Sequence, residues 1–389
     1  MFSSRFHWDL RPNRLARAAP ARRAAGAATL DLTESNPTRA GFAYPPEIVT
    51  ALADPRALLY EPSAAGLPAA REAVAAWYAA RGQTVEPGRI LLTASTSEGY
   101  AYLFKLLTDP GDEVLVPRPS YPLFEFLATM ESVRVRHYPL AYHGAWSVDL
   151  DALERAVTPR TRAVVVVNPN NPTGSYLKRD ELARLAGICR ARGLAIISDE
   201  VFAGYPLRTD PRRAVTLADV EDVPTFAMNG LSKIAGLPQM KLGWIVAGGP
   251  FVARREAMEK LELIADTYLS VSTPVQHAAA ALLRAGAAVE RQIAARVREN
   301  LAFFRDAAAP HPACRILDVE GGWCATLRVP RTHSEEEWAL LLLEEHGVLA
   351  QPGFFYDFES EAFLIVSLLT VPEVFREGAA RLLGAAGSG

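Results

Sequence analysis

Two residues combine a reactive type with a protected setting: Lys233 and Asp199. Lys233 follows the apolar run Thr225 to Met228 and lies between Ser232 and the small residues Ala235 and Gly236. In a closed cleft an ammonium is destabilised, and the neutral amine becomes a nucleophile. A solvated surface charge is the usual state of a lysine. This chain has few lysines to choose from, however: Lys105, Lys178, Lys233, Lys241 and Lys260. Asp199 ends the apolar run Leu194 to Ile197, so its carboxylate is expected at a sheet edge with little solvent and needs a cationic or hydrogen-bonded partner. A helix cap or loop carboxylate is the bland alternative.

A third segment, Asn168-Pro-Asn-Asn171-Pro-Thr-Gly174, also follows an apolar run. All three stand at the C-terminal ends of predicted strands, where open parallel sheets place their ligand sites. Ser95-Thr96-Ser97 joins a strand to a helix, so its hydroxyls and the helix amides can receive a phosphate as well as cap the helix. Other patterns fall away. Neither G-x-G-x-x-G nor G-x-x-x-x-G-K-[ST] is present, the histidines lack H-E-x-x-H spacing, and Ser175-Tyr-Leu-Lys178 matches S-x-x-K without its companion motifs.

The elements that must position these residues alternate between short β-rich runs and longer helical patterns, which predicts βα units and a mainly parallel sheet. Strands are expected at Ile90 to Thr93, Glu113 to Val116, Ala163 to Val167, Leu194 to Ser198 and Thr225 to Met228, with Leu242 to Ala247 as an antiparallel neighbour. Helices are expected at Leu67 to Ala80, Ser97 to Leu107, Arg179 to Arg192, Phe251 to Ile264 and Pro274 to Ala308, the last with a break around Gly286. Short strands follow at Trp323 to Val329 and Phe363 to Leu368. The expected fold class is α/β: a large domain over 45–275 with a mainly parallel sheet sandwiched by helices, and a smaller α+β domain from both chain ends, 1–44 and 276–389.

Composition agrees with a soluble enzyme of 389 residues, with 50% hydrophobic and 22% charged residues. The 41 basic and 44 acidic residues sum to −3, which offers no excess charge for a nucleic acid. No apolar run reaches the roughly 18 to 20 residues that span a membrane. The odd, scattered Cys189, Cys314 and Cys324 suit a reducing, cytoplasmic location and no metal site. The arginine-rich first 30 residues superficially suit a transit peptide, but they run into structured-looking sequence without a cleavage-like break.

An aspartate for a pyridinium nitrogen and a lysine for an imine are what pyridoxal phosphate requires. From Asp31-Leu-Thr-Glu-Ser-Asn-Pro37 through Tyr60-x5-Gly66, Ser120-Tyr-Pro122, Asn171-Pro-Thr-Gly174, Asp199-Glu200 and Ser232-Lys233 to Pro352-Gly353, the chain resembles the fold-type I, class I/II aminotransferases. The resemblance implies pyridoxal 5'-phosphate held by Lys233 as an imine, Asp199 on its ring nitrogen, Asn171 on its phenolic oxygen and Tyr121 stacked on the ring. Ser95, Thr96, Ser97, Ser232 and Lys241 would take the phosphate. It also implies a homodimer, with Tyr60 reaching the phosphate of the partner subunit.

The chain departs from that family where it matters for specificity. Phe202 stands where a tyrosine often serves the phenolic oxygen, with Tyr205 as a candidate substitute. Lys241 replaces an arginine, keeping the charge without the bidentate fork. Gly230 replaces a serine, and Ile365-Val366-Ser367 replaces the Arg-x-Ser carboxylate clamp. Asn36, Arg39 and Arg118 are therefore the candidate substrate contacts. The expected function is transfer of an amino group from a small-molecule amino donor to a carbonyl acceptor. The alternatives are a lyase or decarboxylase on the same scaffold, or a transaminase whose substrate lacks the usual α-carboxylate.

Overall fold

The computed structural model describes residues 1–387. Its large sheet has eight strands: β1 (Ile90–Thr93), β2 (Glu113–Arg118), β3 (Arg134–Tyr142), β4 (Trp146–Val148), β5 (Thr161–Val167), β6 (Ala195–Asp199), β7 (Thr225–Gly230) and β8 (Gly243–Gly248). They lie in the order β1-β8-β7-β6-β5-β2-β3-β4. The run from β7 to β3 is parallel, while β8 is antiparallel to both β7 and β1. Val164 to Val166 and Ile196 to Ile197 are buried because helices cover both faces. The main covering helices are α1 (Pro68–Ala79), α2 (Thr96–Leu107), α3 (Arg179–Arg192), α4 (Phe251–Asp266) and α5 (Thr273–Ala308).

The expected strands and helices around the site agree with the structure to within two residues at each end, β2, β7 and α4 each running two residues further at the C-terminal end. Strand β3 escapes the sequence pattern because Arg134, Arg136 and His137 face partly outward and break its apolar run. The expected break at Gly286 does not occur, since α5 runs unbroken through it. An added Cβ at Gly286 would lie 2.4 Å from the Ala235 Cβ. That glycine is a close-packing position, letting α5 press against the loop just beyond Lys233.

The smaller unit has an antiparallel sheet of β9 (Arg315–Ile316), β10 (Cys324–Arg328), β11 (Gln351–Pro352) and β12 (Phe363–Ser367), in the order β9-β10-β12-β11. Helices α6 (Glu335–His346) and α7 (Pro372–Gly387) accompany it. The N-terminal region joins this unit, with Leu30 and Asp31 pairing in parallel with Val348 and Leu349. The Arg14–Ala24 helix buries Leu15 against Ala339, Leu340 and Leu343 of α6. The arginine-rich start of the chain is thus part of the packed fold. Among the described residues no helix is long and apolar enough to cross a membrane.

Candidate active site

Strand register explains why segments distant in sequence meet at one sheet edge. Val167 of β5 pairs with Asp199 of β6, and Asp199 pairs with Met228 of β7. Gly230 and Thr93, at the ends of β7 and β1, both pair with Gly243 at the start of β8. The Asn168–Gly174 loop, Asp199, Lys233, Lys241 and Ser95–Ser97 therefore share the C-terminal edge of the parallel strands, the edge at which open α/β sheets place their ligands.

Lys233 lies on the short helix Leu231–Ile234 that follows β7. Its Nζ is 4.9 Å from the centroid of the Trp323 ring and 5.4 Å from that of Phe202. Burial pushes its ammonium below the ordinary lysine range, with nearby Cys324 and Asp199 opposing the shift. Two rings stack edge-on against Trp323, Phe202 and Tyr205, each with centroids 5.2 Å away. This aromatic wall supplies cation–π attraction but little hydration, so the amine is easier to deprotonate than a surface lysine.

Asp199 accepts from the Val201 backbone amide at 3.2 Å and from the Tyr100 hydroxyl at 3.1 Å. Desolvation still raises its carboxyl to about 6. Glu200, beside it, is fully buried and raised to about 7 by desolvation. Its oxygens accept from Ser198, Thr216 and the Leu217 amide. Both acids bind protons more tightly folded than unfolded, so the stability they contribute is present below about pH 4 and lost as pH rises towards 7. The cofactor-free protein should therefore lose a few kcal/mol of stability between about pH 4.5 and pH 7 from this pair. Asp199→Asn should flatten part of that slope in a pH series of thermal melts; a wild-type slope unchanged by the substitution would contradict it.

The three asparagines of the Asn168 loop have separate fates. Asn168 is spent on the Ala214 carbonyl and the Leu177 amide, and Asn170 on Pro119, Thr173 and Ser120. Asn171 has no side-chain partner among the described residues and is only partly buried, which leaves its amide free for a ligand. Ser95 accepts from the Glu98 amide at 3.2 Å and is the N-cap of α2. The hydroxyls of Thr96, Ser97 and Ser232 and the Lys241 ammonium are likewise uncommitted. Lys241 adopts a left-handed φ of 53°, a conformation rare for a side-chain-bearing residue. A Cβ on Gly230 would lie 2.9 Å from both the Gly243 Cα and the Leu242 oxygen, so a serine there has no room. Free donors, helix amides and one cation around closely approaching backbone fit a phosphate; Asp199, Asn171 and Lys233 fit a pyridine ring bearing a phenolic oxygen and an aldehyde. The residues present fit pyridoxal phosphate.

Tyr121 is 48% exposed and Tyr60 72% exposed, and neither hydroxyl has a partner among the described residues. Tyr60 adjoins exposed Leu58 and Leu59. The Tyr205 hydroxyl donates to the Lys233 carbonyl at 2.5 Å within the core, so it is not free to stand in for the phenol missing at Phe202. Arg118 is committed too: it donates to the Asp357 carbonyl at 2.9 Å and pairs with Glu359 at 3.2 Å. Asn36 accepts from the amide and hydroxyl of Thr38, which shapes its turn. Arg39 has no side-chain partner among the described residues.

Ile365 pairs across the small sheet with Thr326 and Gln351. Alternation places Leu364 and Val366 in the main core and Ile365 on the opposite face with Ser367, Thr326 and Cys324. These four side chains are uncharged, and the Thr326 hydroxyl is buried without a partner among the described residues. Ser367 donates to the Glu34 carbonyl at 2.5 Å and its amide to the Leu32 carbonyl at 2.7 Å, which docks the segment leading to Arg39 onto the end of β12. Sequence reasoning missed Tyr100 and Trp323. Tyr100 reads as one more apolar position on α2, and Trp323 as strand core; only the tertiary fold shows their polar neighbours.

The profile of the family "Aminotransferase class I and II" matches residues 28–382. The glutamate-pyruvate aminotransferase AlaA of Escherichia coli strain K12 is 35% identical over 258 residues, which cover 65% of this chain and 63% of that protein. This chain thus matches less than two thirds of that relative's length. The AlaA of Haemophilus influenzae is 28% identical over 351 residues, covering 87% of this chain and 86% of that protein. An aminotransferase structure from Escherichia coli superimposes with a TM-score of 0.87 at 26% identity, covering 100% of this chain and 98% of that one. For alanine aminotransferase from Pyrococcus furiosus the TM-score is 0.90 at 24% identity with 100% coverage of both chains, a likeness of fold. With the profile spanning most of its length and the site set on the matching scaffold, the chain belongs to the class I and II aminotransferase family.

Proposed function

We propose that this protein is a pyridoxal-phosphate-dependent aminotransferase that moves an amino group from a small amino donor to a carbonyl acceptor. The observation that carries the reading is the Lys233 amine, lodged against Trp323 and Phe202 and within electrostatic range of Asp199, at the edge where the uncommitted Asn171 amide and phosphate-type donors gather. The bound group supplies an electron sink for the bonds at the substrate α-carbon. Lys233 anchors it and moves a proton at its own Nζ. Asp199 holds the proton on the ring nitrogen, and Asn171 donates to the phenolic oxygen. Tyr121 covers the ring face, while Ser95, Thr96, Ser97, Ser232 and Lys241 receive the phosphate. The exposed Leu58-Leu59-Tyr60 segment supports a homodimer in which Tyr60 serves the partner subunit's phosphate. Three free cysteines support a reducing, cytoplasmic setting.

The names of the relatives make alanine, glutamate and pyruvate the first substrates to test. Loaded protein mixed with L-alanine should release pyruvate and bleach the bound cofactor's visible absorbance in a single half-reaction. Carbon dioxide release without a keto acid would instead establish a decarboxylase. A second reading, an amine substrate without an α-carboxylate, is favoured by the uncharged wall at Ile365 and Thr326.

Phe202 gives this reading its own signature. A phenol at that position would donate to the cofactor's phenolic oxygen and stabilise its deprotonated form. Phe202→Tyr should therefore lower the pH midpoint of the visible absorbance change of the loaded protein by about one unit. A midpoint that stays put or rises in the variant would show that residue 202 does not face that oxygen.

A further inference from the structure

Helix α2 reaches the site twice. Its first turn presents the Thr96 and Ser97 amides and hydroxyls at the end suited to a phosphate. One turn later, about 6 Å along the axis, Tyr100 points its hydroxyl at Asp199 and donates to Oδ2 at 3.1 Å. The Tyr100 ring is clamped by Phe124, with centroids 5.5 Å apart and planes at 78°, and by Phe104 at 5.9 Å. Gly99 lets the helix sit this low on the sheet, since a Cβ there would lie 2.9 Å from the Met228 sulfur, and Met228 pairs directly with Asp199. A buried phenol needs a partner, and Asp199 is the one hydrogen-bond partner of this hydroxyl among the described residues.

We propose that Tyr100 is a positioning residue that holds Asp199 as an oriented carboxylate, so that a single rigid helix sets the spacing between the phosphate subsite and the group on the ring nitrogen. This rests on the assignment of Asp199 to the cofactor nitrogen. Among the described residues Asp199 has only two hydrogen-bond donors, the Val201 amide on Oδ1 and Tyr100 on Oδ2. Removing the second frees one oxygen to rotate and makes the anion harder to keep in a desolvated place. Burial pushes the Tyr100 phenol well above its ordinary range, so it remains the donor at working pH. The other ionisable groups around the pair are Lys233 from the Leu231–Ile234 helix, Glu200 beside Asp199, and Tyr138 of β3 near Tyr100.

The test measures pyridoxal phosphate affinity against pH for the wild type, Tyr100→Phe, Asp199→Asn and the double variant, together with thermal melts of each apoprotein. In the wild type, affinity should fall on the acid side as Asp199 takes a proton. Tyr100→Phe keeps the ring packing. It should weaken binding by about tenfold near neutral pH and move the acid-side fall upward by about one unit. In the Asp199→Asn background the same substitution should have no further effect on affinity, because the two residues act as one unit. A purely structural role for Tyr100 would lower the melting temperature and leave the pH profile in place, which overturns the proposal. If the wild type takes up no pyridoxal phosphate, or Asp199→Asn binds it as the wild type does, the assignment of Asp199 fails and the proposal with it. If those controls behave as expected and Tyr100→Phe titrates like the wild type, the role of Tyr100 alone is refuted.

Discussion

Lys233→Ala protein loaded with pyridoxal phosphate and treated with borohydride should carry no covalent adduct, and its turnover should fall by roughly 10³-fold or more. The wild type should carry one adduct, on the peptide containing Lys233. The other lysines are already employed or wrongly placed. Lys105 pairs with Glu131 at 2.6 Å, Lys178 with Glu320 at 2.6 Å and Lys260 with Glu256 at 2.7 Å. An amine engaged by a carboxylate is not presented to an incoming aldehyde. Lys241 has no side-chain partner among the described residues, but it is exposed. Lys233 has no ion-pair partner among the described residues, its proton affinity is depressed by burial, and it lies near Asp199. Peptide mapping that puts the reduced adduct on Lys241, or on any lysine in the Lys233→Ala protein, would refute the assignment.

The parts of the site that the sequence discloses are those set by backbone geometry. Apolar runs that end in Asn168, Asp199 and Gly230 mark parallel strands buried on both faces, and the register then brings their ends together. Asn171 and Lys233 follow from position along the chain and from resemblance. Side-chain commitments are not legible in this way. Nothing in the order of residues shows that Arg118 is tied to Asp357 and Glu359, that Tyr205 is tied to the Lys233 carbonyl, or that Tyr100 serves Asp199. These depend on how helices and loops pack across the sheet, as does Gly286, where a local helix breaker proves to be a contact point. In each case tertiary proximity overrides local propensity.

Arg39→Ala should lower kcat/KM for L-alanine and L-glutamate by roughly 30-fold or more, while changing it by less than about twofold for matching amines that lack a carboxylate. The expectation comes from charge accounting around Ile365. A carboxylate set against Ile365 and Thr326 meets no cation on that wall, and an unpaired buried anion costs several kcal/mol. Arg118 is an unsuitable replacement, because its guanidinium already holds Asp357 and Glu359 together. Arg118→Ala should therefore act on both substrate sets alike, through the positioning of the 357–359 segment. Arg39 remains, with a guanidinium free of partners among the described residues, on a segment that Ser367 anchors to the strand bearing Ile365. Arg39→Lys should recover only part of the loss, since an ammonium keeps the charge and gives up the two-pronged fit to a carboxylate. Equal losses on amino acids and amines in the Arg39→Ala protein would remove Arg39 as the clamp. Wild-type activity confined to amines would show that the uncharged wall is itself the specificity device, selecting substrates that place an apolar group against Ile365.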